Sequence, residues 1–270
     1  MDETLHPVTG PGFSAYTLLM VAALTFALWR WHARTQADPS LRVIVIGAIA
    51  GGFLGAKLAY LLAEGWIDWD TPDRWLRLLT GKSILGGLLG AFGIVEVVKR
   101  CYGIRTPTGD GFALTLPFGL LLGRIGCILQ GCCLGLPWSD GWCAVRDPAG
   151  VARWPAPHTE AVFQLLMLAL LAGMRRFQLC RDRLFYVYLT AYGTFRFAHE
   201  FLRNTPRILG PLSGYHLLAV ATLFTGIVML IRLHPKQPST GVYALSVMGS
   251  TFLAAILMVI GALMLSGATS

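Results

Sequence analysis

The sequence predicts an all-α fold, a polytopic membrane bundle of about eight transmembrane helices with the N-terminus outside. The 270 residues are 55% hydrophobic and only 13% charged, with a mean hydropathy of +0.60, which is outside the range of soluble globular proteins. Apolar runs close to the ~20 residues that a helix needs to cross a bilayer recur along nearly the whole chain. Basic residues are concentrated in alternate connections between these runs, which is the pattern of a multi-pass membrane protein.

Eight apolar runs define the expected helices. Their lengths, their internal glycines and the scarcity of strand-like alternation favour α-helices over a membrane β-barrel. The economical organisation is a single membrane domain over residues 1–270. In chain order, the runs are 13–31, 43–63, 83–98, 112–130, 161–174, 184–202, 212–231 and 243–266.

The basic residues orient these helices. Lys and Arg follow the odd-numbered runs, whereas the chain opens with Asp2 and Glu3 and the other connections are acidic or mixed. By the positive-inside rule, the N-terminus and the connections 64–81, 131–160 and 203–211 face outside, and an even number of spans returns the C-terminus to that side. The basic residues concerned are Arg30, Arg34, Arg42, Lys99, Arg100, Arg105, Arg175, Arg176, Arg181, Arg183, Arg232 and Lys236.

The net charge of +8 follows from this topology. Basic residues that are spread over alternate connections can attract the anionic head groups of membrane lipids. They do not indicate a nucleic-acid surface, so we expect membrane lipids and no nucleic acid as partners.

Two arginines lie inside apolar runs at similar depth. Arg124 lies about 10 Å below Gly131 at 1.5 Å per helical residue, and Arg196 lies about two turns below Arg203. A charge at this depth needs a partner, a water-filled cavity or an anionic ligand. Both side chains together would bind a lipid phosphate through bidentate hydrogen bonds. The alternatives are snorkelling of Arg124 toward the interface and a structural ion pair of Arg196 with Glu200 at i+4.

Four of the six cysteines, Cys127, Cys132, Cys133 and Cys143, fall on or near the outer side. An oxidising exterior favours disulfides, so we expect Cys143 to pair with Cys132 or Cys133. The chain has no CxxC pair or tight Cys/His set, so we expect no metal site. The alternative is that these thiols form a reactive centre, which exchanges disulfides or carries a transferred group.

Several short motifs occur in an order that one enzyme family shares. The segment "GRIG" at 123–126 is followed by glycines at 131 and 135, and "YGTFRFAHEFLR" at 192–203 combines Tyr-Gly, Arg and Glu. In this order the motifs resemble those of the prolipoprotein diacylglyceryl transferase family. Looser similarities to the same family are "YTLLM" at 16–20, "GAKLAY" at 55–60, "ILGGLLG" at 84–90 and "HTEAVFQ" at 158–164.

The resemblance covers residues 13–233 and leaves 243–266 as an additional C-terminal helix. It implies a multi-pass enzyme of the bacterial inner membrane, which moves a diacylglyceryl group from phosphatidylglycerol to the cysteine of a lipoprotein precursor at the outer leaflet. It implies contact with the signal region of that precursor, and no cofactor. The residues that it marks as catalytic are Arg124, Arg196 and Glu200, and those that it marks as substrate-binding are Arg124, Tyr16, Tyr60, Gly86 and Gly87.

Four positions depart from the family pattern. Cys127 replaces an Asn, and Leu85 stands where the family has a functional histidine. Gln130 and Cys132 replace the Asn and the Glu of an Asn-Gly-Glu segment. Leucine can neither accept a proton nor hydrogen-bond a ligand. His158 or His199 could substitute for that histidine, each with ordinary interface polarity as its alternative.

These departures leave further functions open. The positive potential of two arginines would lower the pKa of an incoming thiol, so that transfer could proceed without a dedicated base. The other possibilities are a divergent member of the family that acts on a different acceptor, a membrane thiol–disulfide protein and a non-catalytic lipid-binding protein.

Overall fold

The computed structural model describes residues 15–70, 72, 74–138 and 143–233. The N-terminal residues 1–14 and the expected last helix, 243–266, lie outside the described residues. The helices are α1 (Ala15–Ala37), α2 (Pro39–Tyr60), α3 (Arg74–Thr80), α4 (Ile84–Cys101), α5 (Gly109–Ala113), α6 (Thr115–Gln130), α7 (Ala156–Arg176), α8 (Leu184–Glu200) and α9 (Gly214–Arg232). Four short strands lie in the connections, namely β1 (Val145–Arg146), β2 (Ala152–Arg153), β3 (Arg207–Leu209) and β4 (Leu212–Ser213).

Within the described ranges, four stretches are long and apolar enough to cross a membrane. They are α2 with the π-helical turn that follows it (Pro39–Gly65), α5 with α6 (Gly109–Gln130), α7 (Ala156–Arg176) and α9 (Gly214–Arg232). They match the second, fourth, fifth and seventh expected runs. The structure thus confirms a mostly helical protein with helices that are long and apolar enough to cross a membrane, while the number of eight spans and the outward N-terminus stay predictions.

Large apolar side chains cover the outer faces of these stretches. Leu62 leaves 80% of its surface exposed, and Phe224 leaves 67% exposed. Apolar surface of this extent is unfavourable in water but is suited to contact with lipid chains. These faces are therefore the ones that would contact the bilayer.

Helices α2 and α4 cross at a row of glycines. A Cβ atom at Gly86 would collide with Ala59 and with the backbone of Gly55, and a Cβ atom at Gly87 would lie 3.3 Å from the carbonyl oxygen of Gly52. Small residues of this kind let two helix backbones approach closely in a membrane. Gly86 and Gly87, which we expected to bind substrate, thus lie at a helix–helix contact, and their contact with substrate stays a prediction.

Helix α8 forms the centre of the described structure. Fifteen of its 17 residues are buried, so protein surrounds it on nearly every side, as is typical of an interior helix. Gly193 allows the close approach of α9, because a Cβ atom there would lie 2.6 Å from the backbone nitrogen of Leu223. This central position carries Arg196 and Glu200 into the interior of the bundle.

Two small hairpins cover the end of the bundle at which α6 and α8 terminate. β1 pairs with β2 in antiparallel register, and β3 pairs with β4 in the same way. Gly135 forms a bridge with Arg203, and Pro137 forms one with Arg153. These contacts fix the segment after α6 against the segment after α8, directly beside the buried charges at the ends of these two helices.

Candidate functional site

Charged side chains from three helices meet in the interior near the ends of α6 and α8. Arg124 comes from α6, Glu160 from the first turns of α7, and Arg196 and Glu200 from the last turns of α8. All four are buried, with Glu160 and Glu200 fully inaccessible. The burial of both arginines excludes simple snorkelling of Arg124 in this structure.

Glu160 joins the two arginines. Its Oε2 accepts a hydrogen bond from Arg124 Nη2 at 2.9 Å and one from Arg196 Nη1 at 3.1 Å. Its Oε1 accepts a hydrogen bond from the Tyr192 hydroxyl at 2.8 Å. A buried carboxylate with three donors is well compensated for the loss of its hydration. Glu160 therefore fixes the distance between two guanidinium groups that would otherwise repel each other.

Glu200 binds the second terminal nitrogen of the Arg196 guanidinium. Its Oε2 accepts a hydrogen bond from Arg196 Nη2 at 2.8 Å and lies 3.7 Å from Nε of Arg203. Its Oε1 accepts hydrogen bonds from the hydroxyls of Thr205 at 2.7 Å and Ser213 at 3.3 Å. The hairpin of β3 and β4 thus participates directly in the orientation of Arg196, since Ser213 ends β4.

We refer to Arg124, Glu160, Arg196, Glu200 and Arg203 as the arginine–carboxylate cluster. It contains three guanidinium groups and two carboxylates, so it carries an excess of one positive charge. Nε of Arg124 and Nε of Arg196 are buried and have no hydrogen-bond partner among the described residues. Buried donors without a partner are costly, and an anionic oxygen would satisfy both the free donors and the excess charge.

His199 lies beside the cluster in a defined state. The Trp154 indole, which can only donate, gives a hydrogen bond to His199 Nε2 at 3.4 Å, so the ring proton belongs on Nδ1. The ring also stacks on Phe195 at a centroid distance of 5.0 Å. His199 can therefore take a proton at Nε2 only by losing its bond to Trp154, which disfavours it as the substitute for the family histidine.

Leu85 and His158, the other two positions considered for the family histidine, do not supply a proton acceptor beside the cluster. Leu85 is almost fully buried in the apolar core, with Leu88 and Met167 among its cluster. His158 lies two residues before Glu160 on α7, and residues at i and i+2 do not share a helix face. Leu85 therefore offers no proton acceptor at all, and His158 does not lie on the face of α7 from which Glu160 reaches the cluster.

The two tyrosines that we expected to bind substrate lie in different places. Tyr16 of α1 packs against α6, because a Cβ atom at Gly126 would lie 2.9 Å from its ring, and it is close enough to Arg124 to interact electrostatically. Tyr60 is buried at the end of α2, with its ring against Gly81 and the Lys57 ammonium 5.3 Å from the ring centroid. The structure therefore brings Tyr16 to the end of α6 near Arg124, while Tyr60 belongs to the contact between α2 and the start of α4.

All six cysteines are free thiols. Three of them form a group at the end of α6, since the Sγ atoms of Cys127, Cys132 and Cys133 lie within 4.8 Å of one another. Cys143, the expected disulfide partner, lies outside this group as a free thiol. The turn after α6 brings Cys132 and Cys133 toward Cys127, and the disulfide of Cys143 with Cys132 or Cys133 stays a prediction.

Sequence reasoning missed two members of the site, namely Arg203, which served there only as a marker of depth, and Glu160. Glu160 lies inside the quoted segment "HTEAVFQ", one residue before an apolar run. Two arginines within apolar segments need carboxylates nearby, and Glu200 alone can pair fully with only one of them. A search for a second acid at the edge of another apolar run would have found Glu160.

Comparison with known proteins agrees with this picture. Residues 9–232 match the family model described as prolipoprotein diacylglyceryl transferase. A phosphatidylglycerol–prolipoprotein diacylglyceryl transferase from Methylococcus capsulatus is 32% identical over 211 residues, which cover 75% of this chain and 79% of that protein. The enzyme of the same name from the Wolbachia of Brugia malayi is 32% identical over 243 residues, 82% of this chain and 91% of that protein.

A more distant relative has the same name. The protein from Clostridium tetani is 29% identical over 226 residues and covers 80% of this chain and 90% of its own length. The family match spans both arginine motifs, the carboxylate of α7 and the helices that bring them together. The chain belongs to the prolipoprotein diacylglyceryl transferase family.

Proposed function

We propose that the chain transfers a diacylglyceryl group from phosphatidylglycerol to the cysteine thiol of a lipoprotein precursor. The observation that carries this proposal is the arginine–carboxylate cluster. It combines an excess positive charge with two buried Nε–H donors that have no partner in the described part of the chain, and the phosphate of phosphatidylglycerol offers one negative charge with acceptor oxygens. The relatives named for this reaction support the same assignment.

The charge balance of the reaction suits this site. A C–S bond forms between the thiol sulfur and the glyceryl carbon, while the bond from that carbon to the phosphate oxygen breaks. Glycerol phosphate leaves, and the thiol proton is released to it or to water. The charge on the phosphate group rises from one toward two negative charges, so fixed guanidinium groups stabilise the transition state more than the bound lipid.

Within this proposal, Arg124 and Arg196 contact the phosphate. Glu160 and Glu200 are positioning residues, because they hold the guanidinium groups at 2.8 to 3.1 Å and leave the Nε edges free. In the same proposal Tyr16, whose ring packs against Gly126 of α6, hydrogen-bonds the lipid head group.

The proposal requires no dedicated base. The guanidinium groups create a positive potential that favours the thiolate of an incoming cysteine. Leu85 cannot accept a proton, and the Nε2 atom of His199 already accepts a hydrogen bond from Trp154. In this proposal the rate of transfer depends more strongly on the two arginines than it would in an enzyme that also has a histidine base.

We further propose that the protein lies in the bacterial inner membrane with eight spans and an outward N-terminus. The site would then face the outer leaflet, where the signal region of a lipoprotein precursor presents its cysteine. A reporter fused after residue 270 should be extracytoplasmic, and one fused near residue 236 should be cytoplasmic. The reverse result at both points would place the cluster at the wrong leaflet.

The experiment that tests the activity uses the purified chain in vesicles of phosphatidylglycerol with a peptide that contains a lipoprotein signal region. We expect glycerol phosphate to be released in equal amount to the peptide that gains a diacylglyceryl group. Vesicles of phosphatidylcholine and a peptide with serine in place of the cysteine are the controls. Binding of phosphatidylglycerol without product would identify a non-catalytic lipid-binding protein and would contradict the proposal.

A further inference from the structure

The three thiols at the end of α6 have no part in the proposed transfer. Cys127 is buried in the last turn of the helix, Cys132 is half-buried and Cys133 is exposed. Their Sγ atoms lie within 4.8 Å of one another, and those of Cys132 and Cys133 are 3.4 Å apart. We refer to Cys127, Cys132 and Cys133 as the thiol cluster.

The backbone of the turn brings these thiols together. Gly131 adopts a left-handed conformation with a φ of 64° and ends α6. The amide of Cys132 donates to the carbonyl of Cys127 at 3.1 Å, and the amide of Gly131 donates to that of Ile128 at 3.1 Å, which is the hydrogen-bond pattern of a Schellman motif. Residues that are five apart in sequence therefore meet at the helix end.

Cys133 adds an unusual feature to the turn. Its φ is also 64°, and a residue with a Cβ atom is unfavourable in this left-handed region. Backbone conformations of this kind persist only where the surroundings fix them, and they often occur at ligand sites. Here the strained conformation places the third sulfur beside the other two.

Three sulfurs at this separation match the ligand set of one soft metal ion. With metal–sulfur bonds of about 2.3 Å, three thiolates around a single ion are about 4 Å apart. Thiolates select soft ions, Cu(I) and Zn(II) among them. We propose that the thiol cluster binds one Cu(I) or Zn(II) ion through the sulfurs of Cys127, Cys132 and Cys133.

Neighbouring positive charges support this site. Three thiolates with Cu(I) carry two negative charges, and with Zn(II) they carry one. Arg124 Nη1 lies 4.0 Å from Cys127 Sγ, so a guanidinium of the arginine–carboxylate cluster can compensate part of that charge.

The binding step is balanced without a redox partner. Three S–H bonds lose their protons to solvent, and three metal–sulfur bonds form, with no change in the oxidation state of the metal or of sulfur. A disulfide would instead join only two of the sulfurs, would leave the third unused and would require an oxidant. The metal therefore accounts for all three thiols, and the disulfide is the competing outcome of the test.

The test titrates the full chain in detergent, freshly reduced and free of metal, separately with Cu(I) and with Zn(II) against chromophoric chelators. We expect about one ion per chain and, by X-ray absorption, a shell of three sulfurs at about 2.3 Å. Each of Cys132→Ser and Cys133→Ser should weaken binding by about tenfold or more. Cys143→Ser is the matched control, since it removes an outer thiol that lies outside the cluster, and it should bind as the unaltered chain does.

Cys127→Ser is the third variant. If this change at a buried position prevents folding, Cys132→Ser and Cys133→Ser in the turn still test the proposal. Less than about a tenth of an equivalent of either ion would overturn the proposal. Equal binding by the Cys132→Ser, Cys133→Ser double variant would overturn it as well. A disulfide within the cluster that forms again at once after reduction, with no metal bound, would assign the thiols to a redox role instead.

Discussion

Replacing Glu160 by glutamine tests the role of this carboxylate as the link between the two arginines. The change keeps the shape of the side chain and removes its charge. Arg124 Nη2 and Arg196 Nη1 lie 2.9 and 3.1 Å from the same oxygen, so they are no more than about 6 Å apart. Without the carboxylate between them, two positive charges at about 6 Å repel each other by about 3 kcal/mol at an effective dielectric constant of about 20.

The lost attraction adds to this repulsion. Removal of one partner from a buried ion pair costs about 3–5 kcal/mol in free energy of unfolding, and Glu160 pairs with two partners. We therefore expect Glu160→Gln to destabilise the protein by at least about 3 kcal/mol. Glu96→Gln is the matched control, because Glu96 pairs with Lys99 at 3.1 Å in a partly exposed position, where an ion pair contributes less than about 1 kcal/mol.

The assay is unfolding in mixed micelles of increasing SDS content, followed by tryptophan fluorescence. Addition of phosphatidylglycerol should restore stability to Glu160→Gln more than to the unaltered chain, because its phosphate can supply the missing negative charge. Phosphatidylcholine, which has no net charge, should not. If Glu160→Gln costs no more than Glu96→Gln, the two arginines do not depend on this carboxylate and our account of the cluster is wrong.

Three further changes test other parts of the fold. Gly86→Ala should lower the free energy of unfolding by about 1–3 kcal/mol, because the new Cβ would collide with α2. Gly93→Ala in the same helix would place its Cβ where no atom lies within 4 Å, so it should leave stability unchanged or raise it slightly. SDS unfolding measures the stability of both variants. Leu85→His, which restores the family residue, should cost about 1–3 kcal/mol by burying an unpaired ring in the apolar core, and wild-type stability would contradict that packing. A hydrogen bond from Arg153 lowers the pKa of Asp147 below its ordinary 3.8, so this pair should stabilise the β1–β2 hairpin above pH 3.8 and lose its effect as the pH falls through the lowered pKa. Limited proteolysis with pepsin should detect the loss as faster cleavage of the hairpin, with the Asp147→Asn variant as the reference. Equal cleavage of both proteins over that pH range would refute the prediction.

The expected apolar runs located the long helices well. The run 112–130 became Gly109–Gln130, and 212–231 became Gly214–Arg232. Hydropathy sets these boundaries because each run ends where polar or turn residues begin. The short helix α3 and the hairpins were not predicted, because elements of two to seven residues depend on contacts with distant parts of the chain and leave little local pattern.

The charged site was predicted only in part, because contacts between distant helices leave no local pattern in the sequence. Arg124, Arg196 and Glu200 were detectable because a charge within an apolar run is conspicuous. Glu160 lies on a third helix, and its contact with both arginines exists only after α6, α7 and α8 pack together. The thiol cluster was missed because a linear spacing search expects CxxC, whereas the left-handed turn at Gly131 brings Cys127 and Cys132 together across five residues.

The central claim is that the two buried arginines bind the phosphate whose charge grows during transfer. The most direct test measures transfer by Arg124→Ala and Arg124→Lys in phosphatidylglycerol vesicles, at matched membrane abundance, with Lys99→Ala as the control. We predict that Arg124→Ala lowers transfer by about 10²–10³-fold, the effect of removing one donor that stabilises a developing anion. Arg124→Lys should recover only part of it, because lysine keeps the charge but loses the two-pronged geometry, and Lys99→Ala should transfer normally. Near-normal transfer by Arg124→Ala would contradict the account.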